Sequence, residues 1–79
     1  MQSFSEPRRS LDTAQPSIRH IQELIRHSTP VVIQVLNCQE DFEGVISWQD
    51  SFYIALSEAD DRPLTLINRD TITVIRALV

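Results

Sequence analysis

The stretch from Phe42 to Leu56 constrains the fold more than any other part of the chain. It holds the only glycine, the only tryptophan and the only tyrosine. Phe42, Gly44, Ile46 and Trp48 alternate with Glu43, Val45, Ser47 and Gln49, the period of a strand with one buried face. After Gln49-Asp50-Ser51 the alternation resumes, with Phe52, Ile54 and Leu56 set against Tyr53, Ala55 and Ser57. Two strands separated by so few residues must lie side by side and antiparallel. A lone glycine inside such a pattern marks a bend, a bulge or a close backbone approach. A bent long strand can serve both halves of a small, strongly curved barrel.

The remaining support for such a barrel has to come from elsewhere. A chain of 79 residues is one small domain, and small cores lean on disulfides, metals or subunit partners. One cysteine excludes an internal disulfide, and Cys38 with two separated histidines is not a zinc site. Oligomerisation remains. The N-terminus has no apolar run after its charges, so no secretory signal is read there, and no segment is long enough to span a membrane. A soluble, cytoplasmic protein with no metal and no cofactor is expected.

Net charge is −4, and its distribution matters more than its size. From residue 30 onward, Glu40, Asp41, Glu43, Asp50, Glu58, Asp60, Asp61 and Asp70 face only Arg62, Arg69 and Arg76, and lysine is absent throughout. Binding driven by phosphate neutralisation needs a cationic surface. Any nucleic-acid site must therefore be local and built on a few arginines.

Residues 1–15 are polar and aperiodic and read as a flexible tail, in which Arg8 and Arg9 either steer RNA or are simply solvated. The domain is expected over residues 16–79. Pro16-Ser17 opens a helix with Ser17 as N-cap. Ile18, Ile21, Leu24 and Ile25 form its apolar stripe, and Glu23 can pair with Arg19 and Arg26. His20 and His27 are roughly 10 Å apart along the axis, too far to share a metal. The helix ends near Ser28, because Thr29 precedes Pro30 and is pushed towards extended geometry. Val31–Leu36 is the first strand, and Asn37–Asp41 turns the chain into the hairpin, with Cys38 an unreactive thiol. Ser57–Pro63 is an acidic loop without the glycine and terminal glutamate of a calcium site. Leu64–Asn68 and Ile72–Val79 are the last two strands, joined by a turn at Arg69-Asp70-Thr71. An OB barrel is the competing fold, but its helix usually sits between the third and fourth strands. Two exposed edges invite head-to-tail pairing with further copies, which closes into a ring.

This order, with Pro16-Ser17-Ile18-Arg19, Leu24-Ile25-Arg26, Thr29-Pro30-Val31 and above all Trp48-Gln49-Asp50, resembles Hfq, the bacterial Sm-like RNA chaperone family, in its cyanobacterial form. The similarity runs over about residues 16 to 78. Gly44, Ile46 and Asp50 match the first Sm motif. The resemblance implies a mainly β Sm-like fold, an N-terminal helix and a strongly bent five-stranded antiparallel sheet or open barrel, assembled into a hexameric ring. It also implies U-rich RNA at the pore on the helix-bearing face, A-rich RNA on the opposite face and a basic rim.

Carried over residue by residue, the pore-side site is Phe52, Asn68, Arg69, Ser17, Ser51 and Asp70. Phe52 matches the aromatic that stacks on uracil, although a core or subunit-interface phenylalanine fits its position equally. The family's Lys-His pair falls on Arg69-Asp70. Two glutamines fall on Ser17 and Ser51, and the rim is reduced to Arg26 and His27. On the opposite face the aromatic falls on Gln34, and the turn is acidic. The resemblance thus implies an intact fold with a weakened RNA site. Cyanobacterial members are also linked to type IV pilus machinery.

Two functions remain open. One is an RNA-binding ring in post-transcriptional regulation. The other is a protein-interaction ring, with Glu40, Asp41 and Glu43 as a possible protein-contact face. An enzyme is not expected, because neither a nucleophile–base pair nor a phosphate-cradling glycine loop is present.

Overall fold

The computed structural model describes residues 11–79. Arg8 and Arg9 lie outside the described residues. Residues 11–15, expected within the tail, form a turn in which Asp12 Oδ1 accepts the Ala14 N–H at 2.9 Å. Helix α1 covers Pro16–Arg26. Its N-cap is Gln15, with extended φ and ψ and no side-chain cap, and Pro16 is the first helical residue. Ser17 is therefore not the N-cap. Proline at this position has its φ preset and lacks an N–H that would go unpaired anyway.

The helix stops by a different device from the one expected. Ser28 has a positive φ of 51°. The Thr29 N–H donates back to the Leu24 carbonyl at 3.0 Å, and the Ser28 N–H donates to that of Ile25 at 3.1 Å. This is a Schellman ending with serine where glycine is usual. Pro30 then starts β1 (Pro30–Val35). Ile18, Ile21 and Leu24 are buried, and Ile21 and Leu24 pack with Val31, Ile33, Ile46, Ile54, Leu56 and Ile67 in one core. Glu23 pairs with Arg26 at 3.0 Å and His27 at 3.2 Å, while Arg19 forms no ion pair among the described residues.

The strands β2 (Asp41–Gln49), β3 (Tyr53–Ser57), β4 (Thr65–Asn68) and β5 (Ile72–Ala77) join β1 in one antiparallel sheet. Its order is β4-β3-β2-β1-β5, so β4 and β5 are the edges. The turn expected at Arg69–Thr71 is one turn of 3-10 helix. Among the described residues, no helix is long and apolar enough to cross a membrane.

The hairpin departs from simple alternation at one point. Ile46 pairs with Leu56, but Trp48 pairs with Ala55, so Ser47 is an extra residue in β2. A bulge of this kind flips the faces of all that follows. Trp48, expected on the buried face, is 40% exposed. It lies in register with Ala55, which in turn pairs with Leu66. Ala55 is fully buried beneath these larger neighbours. Gln49 takes the inner side, opposite buried Ile54. The second half of the pattern also starts later than expected, since Phe52 precedes β3 and is 55% exposed. It is not a core residue of this chain.

Gly44 is a close approach rather than a special φ. A Cβ built there would press onto the Ser57 carbonyl oxygen and stand 3.0 Å from its carbon and 3.1 Å from Glu58 Cα. All three are backbone atoms, so no rotamer change relieves the clash. Gly44→Ala is expected to destabilise the fold by about 1–3 kcal/mol, the cost of overpacking a tight site. Chemical denaturation followed by the fluorescence of Trp48 measures this directly, and an unchanged midpoint would contradict it.

Candidate nucleic-acid interface

The turn between β2 and β3 is built by one carboxylate. Asp50 Oδ1 accepts the N–H groups of Phe52 at 2.8 Å and Tyr53 at 2.7 Å, and its own N–H donates to the Tyr53 carbonyl at 2.9 Å. An aspartate at a turn start can satisfy backbone donors in this way. The bonds from Tyr53 and then Phe52 hold the Asp50 carboxyl below the ordinary aspartate range, with a smaller contribution from Arg69. Phe52 is thereby carried at the tip with its ring in solvent.

Arg69 reaches this turn from the far end of β4. Its backbone N–H donates to the Phe52 carbonyl at 2.8 Å. Its Nε donates to the Asp50 carbonyl at 3.1 Å, and its Nη2 to Gln49 Oε1 at 2.5 Å. Gln49 in turn donates through Nε2 to Gln22 Oε1 at 2.7 Å and to the Ile18 carbonyl at 3.4 Å. A continuous set of hydrogen bonds thus runs from α1 through Gln49 to Arg69 and the Phe52 turn. Partial burial lowers the Arg69 pKa from its ordinary value, while Asp50 and Asp70 act in the opposite direction. Arginine stays charged throughout. Among the described residues, two of its five N–H donors are used here.

Of the residues assigned to the pore side, Ser51, Phe52, Asn68, Arg69 and Asp70 come together at this end of the sheet, with Tyr53 paired to Asn68. Asn68 carries a structural duty, because its Oδ1 accepts the Asp70 N–H at 2.8 Å and caps the 3-10 turn. Ser17 is exposed at the start of α1, on the same face as Ile21 and Leu24, and lines with them and His20 a groove against the Ile72–Ile75 segment. The rim pair Arg26 and His27 is shared with Glu23, so the charge of Arg26 is partly answered within the helix. Gln22 and Gln49 were missed in the sequence, since neither is charged or aromatic. The bulge that turns Gln49 inward leaves only a break in alternation as its signal.

The acidic residues Glu40, Asp41 and Glu43 are all exposed. Asp41 pairs with Gln34, and Glu43 with Val32, whose other partner is Arg76. One cation therefore shares the row of Glu43, with β1 between them. No group of three or more His, Cys, Asp or Glu side chains is arranged to hold a metal ion among the described residues.

A helix followed by a five-stranded antiparallel sheet in this order is the Sm-like fold, used by a class of RNA-binding proteins. A model of the Hfq-related family matches residues 15–77, and the chain belongs to that family. Its structure is similar to a crystal structure of the pleiotropic translational regulator Hfq, with a TM-score of 0.72, 18% identity, and coverage of 85% of this chain and 97% of the other. It is also similar to an Hfq protein from Anabaena sp., with a TM-score of 0.67, 31% identity, and coverage of 78% and 95%. No curated protein sequence matches the chain.

The Asp50 turn has a definite pH signature. Its folded pKa lies below the ordinary aspartate value of about 3.9, so the charged form is bound more tightly when folded. That contribution is fully present above the ordinary value and is lost as pH falls through the lower folded one. Asp50→Asn is expected to lower stability at neutral pH and to narrow its gap from the parent below about pH 4. Thermal melts of both proteins across pH 2.5–7 test this, and a constant gap would exclude Asp50 as the source.

Proposed function

We propose that this chain is an RNA-binding, Hfq-type ring protein of post-transcriptional regulation, with a weakened site for U-rich RNA on its helix-bearing side. The observation that carries this reading is the pairing of an exposed aromatic with a cation at one turn: the Phe52 carbonyl and the Arg69 N–H are 2.8 Å apart. The ring of Phe52 supplies a face for a base, and stacking accepts any backbone direction. Arg69 supplies donors for a phosphate or a base edge. Ser51, Asn68, Asp70 and Ser17 complete the pore side, with Arg26 and His27 at the rim.

The weakness has a physical cause. Asp70 adjoins Arg69 and opposes its charge, Glu23 engages Arg26 and His27, and lysine is absent from the chain. Few phosphates can then be neutralised, so the salt dependence of binding is expected to be shallow. The ring, a hexamer in this reading, closes by pairing the β4 edge of one copy with the β5 edge of the next. The exposure of Leu66 in β4 and of Leu64 just before it supports it, since an open apolar edge is a liability in a monomer. Light scattering should report the ring for the parent and its loss for Ala77→Pro, which removes a donor from the free edge of β5, since the Leu78 N–H next to it points the other way, to the Pro30 carbonyl of β1. A stable folded monomer of the parent would end this part of the reading.

Within an intact ring, Phe52→Ala is expected to cost about 1–3 kcal/mol of affinity for a short U-rich RNA, the value of one base–aromatic stack. Undiminished binding would move the site elsewhere.

A second reading is favoured by the exposed row of Glu40, Asp41 and Glu43. Repeated in every subunit, that row repels phosphate and attracts a basic protein segment, with charge setting encounter and orientation more than affinity. Type IV pilus machinery is the partner class suggested by the cyanobacterial resemblance. Charge reversal at the three positions should abolish binding to a basic peptide and permit binding of A-rich RNA. Tight A-rich binding by the parent would exclude this use of the face.

A further inference from the structure

We propose that Gln49 is a positioning residue that couples helix α1 to the guanidinium of Arg69, so that Gln22 and the Ile18 carbonyl set the aim of the RNA donor. This rests on the reading of Arg69 as that donor. Gln49 Oε1 accepts from Arg69 Nη2, while Gln49 Nε2 donates to Gln22 Oε1 at 2.7 Å and to the Ile18 carbonyl at 3.4 Å. The site therefore needs an acceptor at one end of a short side chain and a donor at the other. An amide offers both. A carboxylate in its place would hold Arg69 but would set its second oxygen against the Ile18 carbonyl.

The alternative is that the amide only ties α1 to the sheet, and the position of Arg69 argues against it. The guanidinium is held at two points, Gln49 and the Asp50 carbonyl, and a long side chain fixed at both loses the rotamer freedom that binding would otherwise have to remove. Fixing Arg69 beside the Phe52 turn pre-orders the one cation of that turn. Without Gln49 the arginine keeps its charge but loses its direction, so affinity falls while the number of phosphates neutralised stays the same.

The test uses the full chain and has one arm without RNA. In the free protein at low temperature, the Arg69 Nη2–H resonance, assigned by its loss in Arg69→Ala, should exchange slowly with water and should exchange much faster in Gln49→Ala, which removes its acceptor. Gln22→Ala, on the exposed side of α1, should shift it in the same direction and serves if Gln49→Ala folds poorly. An unaltered Arg69 resonance in the folded variants would overturn the coupling. In the second arm, binding to a U-rich oligonucleotide should weaken on the order of tenfold in Gln49→Ala, the scale of one hydrogen bond to a charged group, with an unchanged salt slope. Adding Gln49→Ala to Arg69→Ala should cost nothing further, whereas a purely structural glutamine would give additive losses. If Arg69→Ala binds like the parent, the pore-side reading itself fails and the proposal with it. If Arg69→Ala weakens binding and Gln49→Ala does not, the positioning role alone is overturned.

Discussion

One extra residue in the second strand governs most of what distinguishes this molecule. Because Ser47 has no partner across the hairpin, everything after it changes face. Trp48 is turned outward and Gln49 inward, towards the only α-helix among the described residues. A strand without the bulge would bury the indole and expose the amide, and α1 would have no polar tie to the turn that carries Phe52. The two ends of the chain's long-range organisation, helix and 3-10 turn, meet through that one inverted side chain.

Gly44 acts on the same hairpin from its other side. The backbone of Ser57 and Glu58 passes so near that no side chain fits. The glycine supports close packing early in β2, and the bulge resets the face late in it. Between them Ile46, Ile54 and Leu56 are sealed from water, which gives a domain of this size a core of branched aliphatics with no buried polar residue among those described.

Electrostatics then decides what such a frame can bind. An acidic protein without lysine cannot present a broad cationic track, so in the proposed reading affinity for RNA is concentrated where a single arginine is held in direction. Arg69 is so held, and the neighbouring Asp50 spends its carboxylate on backbone N–H groups rather than on the guanidinium. The guanidinium instead meets the Asp50 carbonyl. This division leaves the turn rigid without directing the carboxylate's hydrogen bonds at the arginine.

Much of the fold was legible from residues 16 to 79 alone. Hydrophobic periodicity determined that Ile18, Ile21 and Leu24 form a helix stripe and that five strands follow, because burial of one face imposes its period on the sequence. The lone glycine was read as a bend, a bulge or a close approach, and only the structure selected the last of these; Trp48-Gln49-Asp50 carried the family resemblance. The helix ending was placed within two residues but for an incomplete reason: a left-handed Ser28 with two backward hydrogen bonds is a property of backbone geometry that serine does not announce. Tertiary structure alone decided the face of Trp48, the exposure of Phe52 and the capping duty of Asn68. It also decided the link from Gln22 through Gln49 to Arg69, which joins residues 27 and 20 positions apart. Periodicity reports which side of an element is apolar, and a bulge changes that side without changing composition, so partnerships set by the bulge exist only once the sheet has formed.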